Sequence, residues 1–126
     1  MPELVDPASM PLVTVVAVVR DEEPYLEAMV RSILDQDYPH PLHMVLAVGP
    51  SQDRTHEIAD KLAAETGRVT VVDNPTGSKP IGLNAGLERM PDGHSIFVRV
   101  DGHTVAESTY VRRAVEALLA AGADGV

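Results

Sequence analysis

The sequence predicts an α/β domain: a mostly parallel sheet with helices on both faces, built by repeating β-α four times. Three observations carry this. Short β-branched runs such as "VTVVAVV" are apolar throughout instead of alternating, which is the pattern of strands covered on both faces. Between these runs lie stretches with apolar residues at helical spacing. Aromatics make up only 3% of a chain that is 44% hydrophobic, so Val, Leu, Ile and Ala must build the core.

The elements follow in order. Val13 to Val19 is the first strand, and Arg20-Asp21-Glu22-Glu23 breaks it. Pro24 falls where a helix tolerates proline, in the first turn, and Leu26, Met29, Val30, Ile33 and Leu34 share one helical face. The prolines of "DQDYPHP" end that helix. Met44 to Val48 is the second strand. Gly49-Pro50-Ser51 turns the chain into a second helix marked by Ile58, Ala59, Leu62 and Ala63, with Ser51 or Asp53 as N-cap and Gly67 as C-cap. Val69 to Val72 is the third strand. After the loop "DNPTGSKP", Ile81 to Arg89 is a third helix, weakened by Gly82 and Gly86. Ile96 to Val100 is the fourth strand. "DGHTVAES" leads into a fourth helix with Ser108 as N-cap and Val111, Ala114, Val115, Leu118 and Leu119 inward. "AAGADGV" reads as a helix stop with a fifth strand beginning. The acidic, proline-rich residues before Leu12 read as a flexible lead-in, so the division is 1–11 lead and 12–126 domain.

Bulk properties bound the function. A net charge of -9 argues against a nucleic-acid surface, which needs basic patches to replace counterions. It leaves room for a nucleotide, because one metal ion reverses the local sign. The absence of cysteine removes disulfides, thiolate metal sites and a cysteine nucleophile, and fits a cytoplasmic setting. No stretch approaches the roughly 20 apolar residues of a membrane span. The N-terminus does not read as a signal peptide.

In open parallel sheets ligands bind beyond the carboxyl ends of the strands. Four polar clusters fall there: Arg20 to Glu23, Gly49 to Asp53, Asp73 to Lys79 and Asp101 to His103. Asp101 and His103 offer a carboxylate oxygen and an imidazole across a glycine, a pair suited to Mn or another borderline cation. The same residues also suit a plain turn with a solvated His. Glu22 is placed either to accept from ribose hydroxyls or to serve the dipole of the first helix; Glu23 is read as the dipole acid. Lys79, near a helix start, is placed to meet an anion or to remain solvated. His40, His43, His56 and His94 read as surface or structural.

The order of "VTVVAVVRDEEPYLEAMVRSILDQDYP", "VGPSQDRT", "VDNPTGSKPIGLNAGL" and "FVRVDGH" resembles the N-terminal half of family 2 glycosyltransferases, with the Rossmann-like GT-A fold. It is most similar to the bacterial exopolysaccharide (succinoglycan-type) branch, whose metal motif also reads Arg-x-Asp-x-His. The resemblance covers about residues 12 to 126. It implies an inverting, metal-dependent transferase that takes a sugar from a nucleotide-diphosphate donor to a glycan, lipid or other hydroxyl acceptor. Glu22 then contacts the nucleoside, and Arg20 lies against the base beside Val19. Lys79 and Asn84 lie along the donor, and Asp101 with His103 holds the cation, Mn or Mg. Two departures stand out. Where the family carries paired aspartates after the second strand, one reading uracil, this chain has Val48-Gly49-Pro50, so the donor base is open. Arg99 takes the place of the usual first aspartate of the metal motif and needs a phosphate, an acid or solvent. The resemblance also implies that the general base, acceptor pocket and any membrane-associating tail lie beyond Val126. The sheet's far edge and some apolar surface are then expected to be uncovered.

Two other readings stand beside this one: a truncated, non-catalytic nucleotide-binding module, and a generic doubly wound domain whose "DGH" is only a turn. Turnover of a donor sugar separates the first reading from the second. Loss of Mn-dependent nucleotide binding in Asp101→Ala separates both from the third.

Overall fold

The structure, a computed structural model, describes residues 10–121. Eight elements alternate: β1 (Leu12–Val19), α1 (Leu26–Leu34), β2 (His43–Val48), α2 (Thr55–Thr66), β3 (Val69–Asp73), α3 (Lys79–Leu87), β4 (His94–Asp101) and α4 (Tyr110–Ala120). All strand pairings are parallel, in the order β3-β2-β1-β4. The chain therefore moves outward from β1 to β3, then crosses back to the far side of β1.

That reversal decides which face each helix covers. Right-handed crossovers send helices to one face while the chain advances and to the other when it returns. Accordingly α1, α2 and α4 share one core with Val13, Val15, Ala17 and Val19 of β1. On the opposite face α3 supplies Leu83 and Ala85 against a smaller cluster of Val16, Val45 and Val72. Side chains alternate along β1 because successive residues of a strand point to opposite faces.

The two α3 glycines are packing residues. A Cβ at Gly86 would lie 2.7 Å from Val16 Cγ1, and one at Gly82 would lie 2.9 Å from Val18 Cγ1. One turn apart, they let the helix axis approach β1 closely. Helix propensity alone misses this, and it also misplaces the element: α3 starts two residues before the expected Ile81. Ser78 caps it by accepting from the Ile81 amide, and Pro80 occupies the first turn.

Three further expectations change. Met10 is buried in the core, and the Pro11 carbonyl accepts from the Tyr38 hydroxyl at 2.6 Å, so order begins before Leu12. Burial pushes the Tyr38 phenol up to about 12. Ser108 does not cap α4 with its side chain. Instead Gln36, just past α1, accepts from the Val111 amide at 2.8 Å and donates to the carbonyls of Glu107 and Ser32. Leu119, expected inward, is exposed. Residues 1–9, most of the expected lead-in, and the expected fifth strand lie outside the described residues.

β4 ends the sheet order, so its outer edge is unpaired among the described residues. An apolar groove of about 400 Å³ runs along it, lined by Leu83, Phe97, Val98, Val115 and Leu118 among others. Among the described residues no helix is long and apolar enough to cross a membrane.

Candidate functional site

β1 and β4 lie side by side where the strand order reverses: the chain runs outward from β1 to β3, and α3 brings it back to β4 on the far side of β1. This is the switch point of the sheet, where the carboxyl ends of neighbouring strands open a crevice. A cavity of about 290 Å³ lies there, lined by Val18, Val19, Arg20, Glu22, Asn74, Gly77, Lys79, Asp101, Gly102 and His103. Three of the four predicted polar clusters therefore share one cavity. The larger apolar groove at the β4 edge has none of this polar convergence, so the switch-point cavity is the chemical candidate.

The floor of the cavity is set by hydrogen bonds between two loops. The Asp21 amide donates to Ser51 Oγ at 3.0 Å, and the Gln52 amide donates to Asp21 Oδ1 at 2.7 Å. Asp21 itself is left-handed, with φ of 50°, a conformation these two bonds hold in place. The Glu22 amide donates to Thr55 Oγ1 at 2.9 Å, and the Glu23 amide to Asp53 Oδ2 at 3.1 Å. The Arg54 amide donates to Glu23 Oε1 at 2.9 Å. Glu23 thus serves the start of α2, not the dipole of its own helix as expected. The N-cap of α2 is Arg54, so neither expected residue takes that position: Asp53 lies just before it and accepts from the Thr55 amide and hydroxyl, and the Ser51 hydroxyl donates to the Gly49 carbonyl. The Thr55 hydroxyl holds the Asp53 carboxyl below the usual carboxylate range, with burial opposing and the Glu23 and Thr55 amides adding to the effect.

Asp101 closes β4 and faces the same side of the sheet as Val18, its register partner. Gly102 is buried because the backbone there runs under Glu22: an added Cβ would lie 2.8 Å from Val19 Cγ1 and 3.0 Å from Glu22 Cγ. A side chain at this position would push Glu22 out of the cavity, which accounts for glycine between the two proposed ligands. His103 Nδ1 lies 3.7 Å from Glu22 Oε1, and the Tyr25 ring meets the imidazole edge-on with centroids 6.4 Å apart.

The donor set fits a divalent cation shared with a ligand. Asp101 and His103 line one cavity and combine a hard oxygen with a borderline nitrogen, as Mn accepts. Among the described residues no three His, Cys, Asp or Glu side chains cluster to hold a metal by themselves. Further ligands must then come from elsewhere, and diphosphate oxygens or water are the natural source.

The remaining predicted residues divide. Val19, Arg20, Glu22 and Lys79 line the cavity. Gly49 is buried and is not among the lining residues; its amide donates to the Val19 carbonyl at 2.8 Å. Arg99 is exposed and opens with Lys79 and Asp101 onto a small adjoining recess, so it meets the condition that an arginine here reach solvent. Asn84 is exposed and is not among the lining residues; two positions on from Gly82, it points to roughly the opposite side of α3.

Sequence reading missed Asn74. It is only 1% exposed and lines the cavity. Its Nδ2 donates to the Ser78 carbonyl at 3.0 Å, its Oδ1 accepts from the Thr76 hydroxyl, and its amide donates to the Val48 carbonyl. It thereby fixes the loop that ends at Lys79. The Asn-Pro dipeptide is the signal that marks such a turn.

The chain is similar in sequence and fold to known proteins. The chain is 34% identical over 106 residues to the succinoglycan biosynthesis protein ExoA of Rhizobium meliloti (strain 1021), covering 84% of this chain and 32% of that protein. Among solved structures it is similar to the mannosyltransferase PcManGT from Pyrobaculum calidifontis in complex with GDP-Man and Mn2+. There the TM-score is 0.78 at 27% identity, over 90% of this chain and 34% of that one. The fold is also that of S. aureus TarS 1-349 in complex with UDP, at a TM-score of 0.72 and 18% identity, over 86% of this chain and 32% of that one. The chain thus spans about a third of the length of these relatives. A family model described as glycosyl transferase family 2 matches residues 14–126, and with strand order, switch-point cavity and relatives in agreement, the chain belongs to that family.

Proposed function

We propose that this chain carries the nucleotide-sugar and cation site of an inverting, metal-dependent glycosyltransferase. The observation that carries the reading is convergence: Arg20, Glu22, Lys79, Asp101 and His103 come from three separate connections and line one cavity at the switch point. Asp101 and His103 hold the cation. Bound there, Mn or Mg neutralises charge on the leaving diphosphate. Lys79, in the first turn of α3, adds a cation to a helix terminus that already favours anions. Arg20 packs beside Gly77 and offers a planar face to the donor base. Glu22 borders the nucleoside side.

The donor is a nucleotide-diphosphate sugar, and the acceptor is a hydroxyl of a glycan or lipid. An aspartate acting as general base on that hydroxyl belongs, by family resemblance, to the part of the relatives that this chain does not span. The same resemblance supports exopolysaccharide synthesis in the cytoplasm, with any membrane association made through that further part.

Calorimetric titration with UDP-, GDP- and dTDP-sugars, with and without Mn2+, tests the site. One donor is expected to bind at least tenfold more tightly with Mn2+, and Asp101→Ala is expected to abolish that gain. Binding indifferent to both the ion and the substitution would overturn the assignment.

A further inference from the structure

Glu22 enters the site from β1, while the proposed ligands Asp101 and His103 come from β4. Its position is set on three sides. Its amide is bonded to Thr55 Oγ1, and its carbonyl accepts from the amides of Tyr25 and Leu26, each at 2.9 Å. Its side-chain stem lies against Gly102, where even a methyl group would come within 3.2 Å of the carboxyl carbon. Glu22 is only 21% exposed at its side chain, against 64% for His103. The half-buried acid is therefore the fixed partner and the imidazole the adjustable one.

We propose that Glu22 is a positioning residue for His103, holding the ring through Nδ1 so that Nε2 is the nitrogen presented to the cation. Oε1 is the acceptor that faces Nδ1, at 3.7 Å, and a small turn of the exposed ring brings Nδ1–H within hydrogen-bond distance. Tyr25 bounds the ring edge-on, limiting its rotation away from the acid. A carboxylate behind a metal-binding imidazole fixes the tautomer and raises the basicity of the free nitrogen. The role differs from a nucleoside contact, because it acts through His103 and not through the donor base or ribose. It rests on the metal reading proposed above.

The experiment is a double-mutant cycle with Mn2+ and UDP as probes, read by electron paramagnetic resonance of free Mn2+. Glu22→Gln keeps the shape of the side chain, and an unchanged Tm checks its fold. Alone it is expected to weaken Mn2+ binding in the presence of UDP by about 10- to 100-fold. In a His103→Gln background it is expected to add less than about a twofold effect, since coupled sites are not additive. Independent, multiplying effects would overturn the positioning role. Asp101→Ala run in parallel separates the two failures: if it leaves Mn2+ binding intact, the metal reading itself falls. Imidazole nitrogen NMR on the unsubstituted protein gives a second readout. The Nδ1-protonated tautomer of His103 is expected, and a dominant Nε2-protonated ring would count against the proposal.

Discussion

The two halves of the ligand rim are built differently. The β1–α1 and β2–α2 loops are tied together by five side-chain-to-amide hydrogen bonds, through Asp21, Glu23, Ser51, Asp53 and Thr55. The turn after β4 carries one local bond, Thr104 amide to Asp101 carbonyl, and leaves Asp101 and His103 exposed. The β3–α3 loop lies between these extremes, bonded mainly within itself through Asn74, Thr76 and Ser78. The lesson is a division of labour. On the proposed reading, the side assigned to the nucleoside is preset by the fold, and the side assigned to the cation and diphosphate has few internal bonds, as segments that ligands order do.

The largest expected break in this contrast comes from Thr55→Val. Thr55 is fully buried, and its hydroxyl accepts from the Glu22 amide while donating to Asp53. Removing it orphans the Glu22 amide and takes one of three donors from Asp53, and is expected to cost about 1–3 kcal/mol in denaturant unfolding. Gly86→Ala tests the other face of the sheet. Helix propensity alone would stabilise α3, but the 2.7 Å approach to Val16 reverses the sign. A loss of about 1–2 kcal/mol is expected, and a gain would mean that the close packing is not needed.

Asp53→Ala strikes the preset half more gently. A fall in Tm of about 2–6 °C is expected from the lost bonds to Glu23 and Thr55. The pH dependence has a definite sign. Because the folded carboxyl is held below its ordinary value, its contribution is present above about pH 4 and is lost as pH falls through the folded value. The difference in Tm between parent and Asp53→Ala should therefore shrink on acidification.

A smaller effect is expected at the opposite end of the sheet. Burial, followed by the neighbouring His94 and Arg68, pushes His43 below the ordinary histidine range. The fold therefore prefers the neutral ring, and stability should decline as pH falls below about 6.5, an effect His43→Gln removes. Smallest of all is Arg99→Ala. This exposed residue has no ion pair or hydrogen bond among the described residues, so stability should stay within about 0.5 kcal/mol. Hydrogen exchange sharpens the whole contrast: the amides of Glu22, Glu23 and Arg54 should be protected, and that of His103 should exchange rapidly.

Much of this was legible in the chain itself. The unalternating runs at Val13 to Val19 and Met44 to Val48 marked central strands, and both are buried almost throughout. Gly67 was readable as a C-cap and adopts the left-handed conformation, with φ of 65°. The rim positions of Arg20, Glu22, Lys79, Asp101 and His103 followed from strand ends alone. The partners across the fold did not. Gln36 caps a helix that begins more than seventy residues later in the chain. Glu23 serves the second helix instead of its own. Asn74 resembled any turn residue until its side chain proved to be enclosed.

Periodicity and turn residues are local, so the sequence by itself determined the elements, their alternation and the parallel sheet that follows from it. Which loop bonds to which, and which nitrogen of His103 faces Glu22, depend on distances between segments far apart in the chain. Those distances exist only once the chain crosses back over β1, and so only the tertiary structure decided them.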